Sequence, residues 1–166
     1  MSAALLRQGR IEAIDAPLLA DEAPLPPDGR CRVSLARWQA EPALAASGRV
    51  GVQLPNTADV QALAETLQPA WLIALEFPGF ADGRAYSQAR LLRQRLDYRG
   101  ELRAVGKAVV RDQLPGLARC GFDSFELRED QDPEACRQTL GSARLAYQPA
   151  VDALPWALRL RRPGGA

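Results

Sequence analysis

The sequence predicts an α/β protein built on a parallel sheet, and three observations carry that prediction. Short apolar runs recur at residues 50–55, 71–77, 101–106 and 124–128, with helical periodicity in the gaps between them. Strands and helices alternating at this length require right-handed crossovers, and so parallel strands. The run WLIALEF at 71–77 is nearly unbroken, as expected for a strand covered on both faces. Polar residues also gather directly after two of the runs: Asp82, Arg84, Tyr86 and Ser87 after one, Lys107, Arg111, Asp112 and Gln113 after the next. In βα repeats, the loops leaving the carboxyl ends of the strands form the ligand-binding edge. Four to five βα units are expected, arranged as an open doubly wound sheet or as part of a (β/α) barrel.

Residues 1–49 are the least regular and read as an N-terminal extension packed on a main body at 50–150, with a basic, loose tail at 151–166; all belong to one domain. LLRQGRIEAI suggests a short hairpin about a Gly-Arg turn. The acid- and Pro-rich ADEAPLPPDGR reads as a surface loop. CRVSLARW alternates as a strand, with Val33 and Leu35 on one face, and Pro42 breaks the segment after it. After VGVQLP, the stripe Val60, Leu63, Ala64, Leu67 predicts a helix capped by Asn56 or Thr57.

SQARLLRQRL predicts a second helix, with Ala89, Leu92 and Leu96 inward and Arg90, Arg93 and Arg95 mostly outside that stripe. ELRAVG is a strand. AVVRDQLPGLARC is a helix with core stripe Val110, Leu114, Leu117, in which Pro115 forces a kink or a restart, and Gly121 suits its left-handed exit. DSFELR is another strand. In DPEACRQTLG, Asp132 is the N-cap, Pro133 the first position and Gly141 the exit. LAYQP offers a fifth strand.

The composition narrows the function classes. A chain of 166 residues, 47% hydrophobic and 25% charged, suits one soluble domain with a real core. A net charge of +1 gives no overall field toward nucleic acid or a membrane surface, and the few scattered aromatics make no base-stacking platform. No apolar run approaches the roughly 20 residues that span a bilayer. Arg7, Gln8 and Arg10 interrupt the start where a secretory leader would be apolar, so a cytoplasmic location is expected. Histidine is absent, which excludes Ser-His-Asp and Cys-His catalysis, histidine-ligated haem and the usual mixed zinc sites. Cys31, Cys120 and Cys136 form no CxxC and read as reduced, small, buried side chains. Neither GxGxxG nor GxxxxGK[ST] occurs. The expectation is therefore no cofactor and no metal.

Each polar constellation has a functional and a plain reading. Around Asp82–Ser87, an anion would sit on helix N–H groups and Arg84; otherwise Asp82 and Ser87 satisfy turn and cap donors, and Arg84 is solvated. Lys107 and Arg111 share a face if the helix has begun, with Asp112 orienting an arginine and Gln113 adding a neutral donor and acceptor; otherwise this is a solvated first turn. Asp82, Asp112 and Glu126 are the carboxylates placed to act as a base; more simply, Glu126 lies near an exposed cap. Arg90 and its neighbouring arginines form a solvated face or, alternatively, a partner-docking surface.

These same stretches carry a resemblance. FPGFADGRAYSQARLLRQRL, GELRAVG, VVRDQLPGLARCGFDSFEL and the later AYQP are similar to phrases of a bacterial family of uncharacterised proteins, from about residue 49 to 149, with VSLARW a weaker match before it. That family is often labelled an oxidoreductase involved in sulfite reduction, because it accompanies the sulfite or nitrite reductase. The resemblance implies an accessory protein of assimilatory sulfite reduction that docks on the reductase or supplies it with an anion site, in a form compatible with oligomers. An enzyme acting on a small phosphorylated or sulfur-containing anion, and a structural interaction module, are the alternatives. Carried over by resemblance, the residues of interest are Asp82, Gly83, Arg84, Tyr86, Ser87, Arg90, Arg103, Gly106, Arg111, Asp112, Gln113, Arg119, Cys120, Gly121 and Glu126. The family phrase has Asp where this chain has Lys107.

Overall fold

A computed structural model describes residues 4–142, 150 and 151. The expected strand at 145–149 and the tail from 152 onward lie outside them. The described residues form an α/β structure around one seven-stranded sheet, ordered β2-β1-β7-β6-β5-β4-β3. The strands are β1 (Ala4–Arg7), β2 (Arg10–Ala13), β3 (Cys31–Ser34), β4 (Val50–Leu54), β5 (Leu72–Phe77), β6 (Glu101–Gly106) and β7 (Ser124–Leu127). β3 through β7 run parallel, each beside its successor in sequence. The hairpin β1–β2 joins antiparallel at β7. The parallel run therefore never reverses its order, and contains no crevice of the kind that such a reversal opens in doubly wound sheets.

The helices are α1 (Leu35–Ala40), α2 (Ala43–Ala46), α3 (Ala64–Leu67), α4 (Arg84–Gln94), α5 (Leu114–Arg119) and α6 (Pro133–Ser142). Trp38, Leu44, Leu67, Ala89, Leu92, Leu117 and Cys136 from these helices share one apolar cluster with Val33, Val52, Ile73, Leu75, Phe77, Ala104 and Phe125 from the strands. Strand side chains alternate between faces. The register places all of those strand residues on one side, so the helices cover a single face of the sheet.

Several elements differ from expectation. Residues 31–46, expected within an irregular extension, form a βα unit of the parallel sheet. The strand stops at Ser34 because its Oγ accepts the Arg37 backbone N–H at 3.1 Å and starts α1, which takes Leu35 out of the strand. The helix expected over 57–67 shrinks to α3; Asp59 Oδ1 accepts the N–H groups of Gln61 and Ala62 and holds a turn instead. Pro115 produces a restart: a 3-10 turn spans Arg111–Gln113, and α5 begins at Leu114 with the proline in its first turn. Arg93 is not part of a solvated face. It donates to the carbonyls of Tyr98 (2.6 Å), Gly100 (2.9 Å) and Gly121 (3.0 Å) and pairs with Asp123, fastening α4 to the strand-entry edge. Gly121 has φ +104, as its position after α5 requires.

The second face of the sheet is the unusual one. Alternation assigns to it Arg32, Ser34, Gln53, Glu76, Glu101, Arg103, Ser124, Glu126 and Arg7, together with the buried Leu5, Leu72 and Ala74. Arg32 of β3 binds Glu126 of β7 through both guanidinium nitrogens, one of these bonds at 2.8 Å. Three strands lie between them, so a flat sheet would separate them by about 19 Å. That is farther than an arginine and a glutamate reach together; the sheet is strongly curled, and these residues line its concave side. Gly51 permits the curl, since a Cβ there would lie 2.8 Å from Leu72 Cβ. Residues 14–19 cross the hollow. Asp15 enters it, Ala16 is fully buried, and Pro17 to Leu19 run alongside Arg32 on the outer edge of β3.

Candidate functional site

The loops after β5 and β6 leave adjacent parallel strands at the same rim, and they meet there: Tyr86 Oη donates to Gln113 Oε1 at 2.9 Å. Burial pushes the Tyr86 hydroxyl up from its ordinary range, so it remains a donor at neutral pH. Gly106 fixes the approach of the two loops. It has φ +105, and a Cβ there would lie 2.4 Å from the Phe77 carbonyl oxygen.

The rim's charged residues do not converge on one point. Arg84, 59% exposed, closes a local fork on Asp82, with bonds of 2.9 and 2.6 Å. These hydrogen bonds, with a lesser contribution from Asn56, hold the Asp82 carboxyl well below the usual carboxylate range. So placed, it is a weak base. Arg111 turns toward α6, its Nε donating to Thr139 Oγ1 at 2.8 Å. Lys107 and Arg111 do not share a helix face, because Lys107 lies in a turn before the 3-10 segment. Ser87 and Arg90 lie within α4, which begins at Arg84 with Gly83 as its cap. Neither they nor Asp112 form a side-chain bond to any described residue.

Glu126 stands where the sequence put it, near the end of β7, but its carboxylate is held by Arg32 and, at 3.3 Å, by Arg103. It belongs to a network that sequence reasoning missed. Arg103, 0% exposed, also bonds Glu101 (2.8 Å) and Asp15 (2.8 Å), while Arg7 bonds Asp15 (2.7 Å), Glu12 (3.0 Å) and Glu101 (3.3 Å). Ser124 Oγ donates to Glu101, and Arg32 donates to the Ala16 carbonyl at 2.8 Å and to Gln53 Oε1 at 2.9 Å. Burial alone would raise the Asp15 carboxyl; the hydrogen bonds and charges of Arg7 and Arg103 outweigh it and hold the group low. Alternation alone could not find the network, because bonds such as Arg103–Ser124, Arg103–Asp15 and Arg32–Glu126 join residues 21 to 94 apart that meet only through the sheet order.

Two clefts open at the rim, on either side of the crossing segment. The first, about 500 Å³, is lined by Ile14, Gly79, Phe80, Gly106, Lys107, Glu126, Leu127 and Arg128, and so spans the carboxyl ends of β5, β6 and β7. Phe80 is 63% exposed beside it. The Lys107 ammonium binds no described residue. Arg128 donates to the Lys107 carbonyl at 3.3 Å and pairs with Asp130. The second cleft, about 360 Å³, lies between the ends of β3, β4 and β5 and is lined by Leu18, Ser34, Leu35, Ala36, Gln53, Pro55 and Glu76.

Among the described residues no group of three or more His, Cys, Asp or Glu could hold a metal ion, and no helix is long and apolar enough to cross a membrane. Cys31 and Cys136 are buried free thiols, and burial pushes both above the ordinary thiol range.

Fold and rim thus define a βα-sheet protein with two clefts at the carboxyl edge of its parallel strands and an ion-paired hollow beneath them. The chain belongs to the family described as bacterial protein of unknown function (DUF934), whose model matches residues 51–156. No curated protein matches it.

Proposed function

We propose that this protein is a companion of assimilatory sulfite reduction, offering the reductase a docking and anion site at the cleft between the ends of β5, β6 and β7. The observation that carries this reading is the grouping of the Lys107 ammonium, Arg128 and the exposed Phe80 around one cleft at the carboxyl edge of parallel strands. The Lys107 ammonium, which binds no described residue, favours an oxyanion or an acidic partner surface, and Arg128, shared with Asp130, adds to it. An exposed aromatic is the kind of anchor that dominates protein interfaces. Support for sulfite reduction comes from the resemblance of FPGFADGR and the GELRAVG and VVRDQ phrases, which border this rim. We also read the curled sheet as a partial (β/α) barrel. Sequential parallel strands, helices on one face and the Arg32–Glu126 brace favour that over a doubly wound sheet.

The test is co-purification with the sulfite reductase, together with calorimetric titration of sulfite into the isolated chain. Capture of the reductase is expected for the native protein and at least tenfold weaker for Phe80→Ala and Lys107→Ala. Unchanged capture by both variants, or no capture by the native protein, overturns the docking reading. A second reading, an enzyme acting on a small sulfur-containing or phosphorylated anion, is favoured by a cleft volume that suits a small ligand. Sulfite or phosphate ester bound without any reductase, and consumed, would select it.

A further inference from the structure

The cleft between the ends of β5, β6 and β7 combines a broad apolar wall with a single available charge. The wall is Ile14 of the crossing segment, Phe80 and Leu127, with Gly79 and Gly106 adding backbone that carries no side chain. Three charged residues border it, and two are already engaged. Glu126 is held by Arg32 and Arg103, and Arg128 is paired with Asp130. The Lys107 ammonium binds no described residue. The register sets Gly106 beside Phe77, so Lys107 and the loop carrying Gly79 and Phe80 leave neighbouring strands, which lie about 4.8 Å apart. The charge and the exposed ring therefore start within reach of one ligand residue.

Simpler ligands leave part of this lining unused. A free oxyanion such as sulfite would pair with Lys107 but has no surface to lay against Ile14, Phe80 and Leu127. An uncharged apolar group would cover the wall and strip water from the ammonium without replacing it, which is costly. An internal stretch of a partner chain would bring peptide N–H and C=O groups on both sides of its apolar residue, and an apolar wall cannot pair them. A carboxyl terminus brings them on one side only. Its last residue also carries a side chain and a carboxylate on the same Cα. A free amphipathic acid shares that chemistry. It would cover only the part of Phe80 that lines the cleft, however, and the ring is 63% exposed; the body of a protein covers the rest.

Resting on the docking reading above, we propose that what the partner inserts here is its carboxyl terminus, ending in a bulky apolar residue. The α-carboxylate pairs with Lys107, and the last side chain packs against Phe80, Ile14 and Leu127. The cleft can be blocked without disturbing the fold at Gly79. A Cβ there would meet nothing within 4 Å, and its φ lies outside the left-handed region, so a side chain at this position adds bulk at the cleft without strain.

The probe is N-acetyl-phenylalanine, titrated calorimetrically into the full chain beside N-acetyl-phenylalaninamide, acetate and sulfite. Saturable binding of the acid is expected, about tenfold or more tighter than any of the other three, as the loss of one charge-assisted hydrogen bond or one packed ring predicts. Lys107→Met should bring the acid down to the level of the amide, and Gly79→Leu should weaken both. Unliganded melting temperatures of the variants, measured alongside, separate loss of the site from loss of the fold. In the capture assay, a reductase shortened by its last few residues should be retained at least tenfold less than the intact one. The proposal is overturned if the acid does not bind at millimolar concentration, if the amide, acetate or sulfite binds as tightly, or if Lys107→Met or Gly79→Leu binds like the native chain. A shortened reductase captured as well as the intact one also overturns it, and leaves the docking reading standing. An intact reductase that is not captured at all removes the docking reading, while the titration of the acid still decides what the cleft accepts.

Discussion

The two faces of the sheet are held by different physics. On the helix side, Ile73, Leu75, Phe77, Ala104 and Phe125 bury apolar surface with no directional demand, in proportion to the area removed from water. On the concave side, Arg103, Glu101, Asp15, Glu126, Arg32 and Arg7 exchange hydrogen bonds so that every member satisfies another. The first face holds wherever volume is conserved. The second holds only while its charges remain balanced, and through Arg32–Glu126 it braces the curl that gives the rim its shape. Burial of ions does not by itself stabilise, because desolvation offsets their attraction. What the network does is tie β1, β3, β6 and β7 to one another and to the crossing segment at Asp15.

That contrast is open to direct attack. Arg103→Met keeps most of the volume but leaves Glu101, Asp15 and Glu126 short of a partner in an enclosed space. Removing one member of such a set costs about 3–5 kcal/mol, readable by urea denaturation. A loss below about 1 kcal/mol would mean that the concave face is not a coupled network. Even Arg103→Lys should be clearly destabilising, since a compact ammonium cannot replace a planar fork that reaches three carboxylates. Leu75→Ala on the other face is expected to cost about 2–5 kcal/mol, but Leu75→Met less than about 1.5 kcal/mol. The contrast between the two conservative changes, Arg103→Lys and Leu75→Met, is the sharper discriminator.

Acid probes the concave face selectively. The folded Asp15 carboxyl lies below its ordinary value of 3.8 because of Arg7 and Arg103. A depressed carboxylate contributes stability above its unfolded pKa, and that contribution is lost as pH falls through the folded value. Native protein should therefore lose stability below about pH 4 more steeply than Asp15→Asn, with the difference vanishing at the lowest pH. Parallel curves for the two proteins in pH-dependent denaturation would remove Asp15 from the brace.

The legibility of the sequence divides along the same line. The helix-side core was readable, because WLIALEF, ELRAVG and the stripe Ala89, Leu92 are patterned and apolar, and the two strands and the helix all form there. The shared rim of the two polar loops came from parallel strands. The features that escaped were those decided by partners distant in sequence. Arg32 and Glu101 occupy alternate strand positions that nothing local marks, and Arg103, of interest by resemblance alone, gave no sign of the carboxylates it meets once the sheet curls. Glu76 is hidden within an apolar run, where one carboxylate resembles an interruption rather than a rim residue. Local competition explains other differences: Ser34 and Asp59 spend their oxygens on nearby N–H groups and end or shorten elements that hydrophobic spacing alone would extend.

The rim pair Asp82–Arg84 supplies the low end of the scale. Its geometry is as good as that of the interior pairs, yet it lies in water, where attraction is screened and the long arginine loses rotamer freedom on pairing. Arg84→Ala should leave the denaturation midpoint unchanged within error, while the Asp82 carboxyl, no longer held by the fork, moves up toward its ordinary value of 3.8 in an NMR titration. A marked loss of stability in this variant would mean that the rim resembles the concave face, and that enclosure is not what separates the structural ion pairs from the exposed ones. A silent variant with a shifted carboxyl would instead leave Arg84 and Asp82 free to be retained for what they contact at the rim, since the fold does not depend on them.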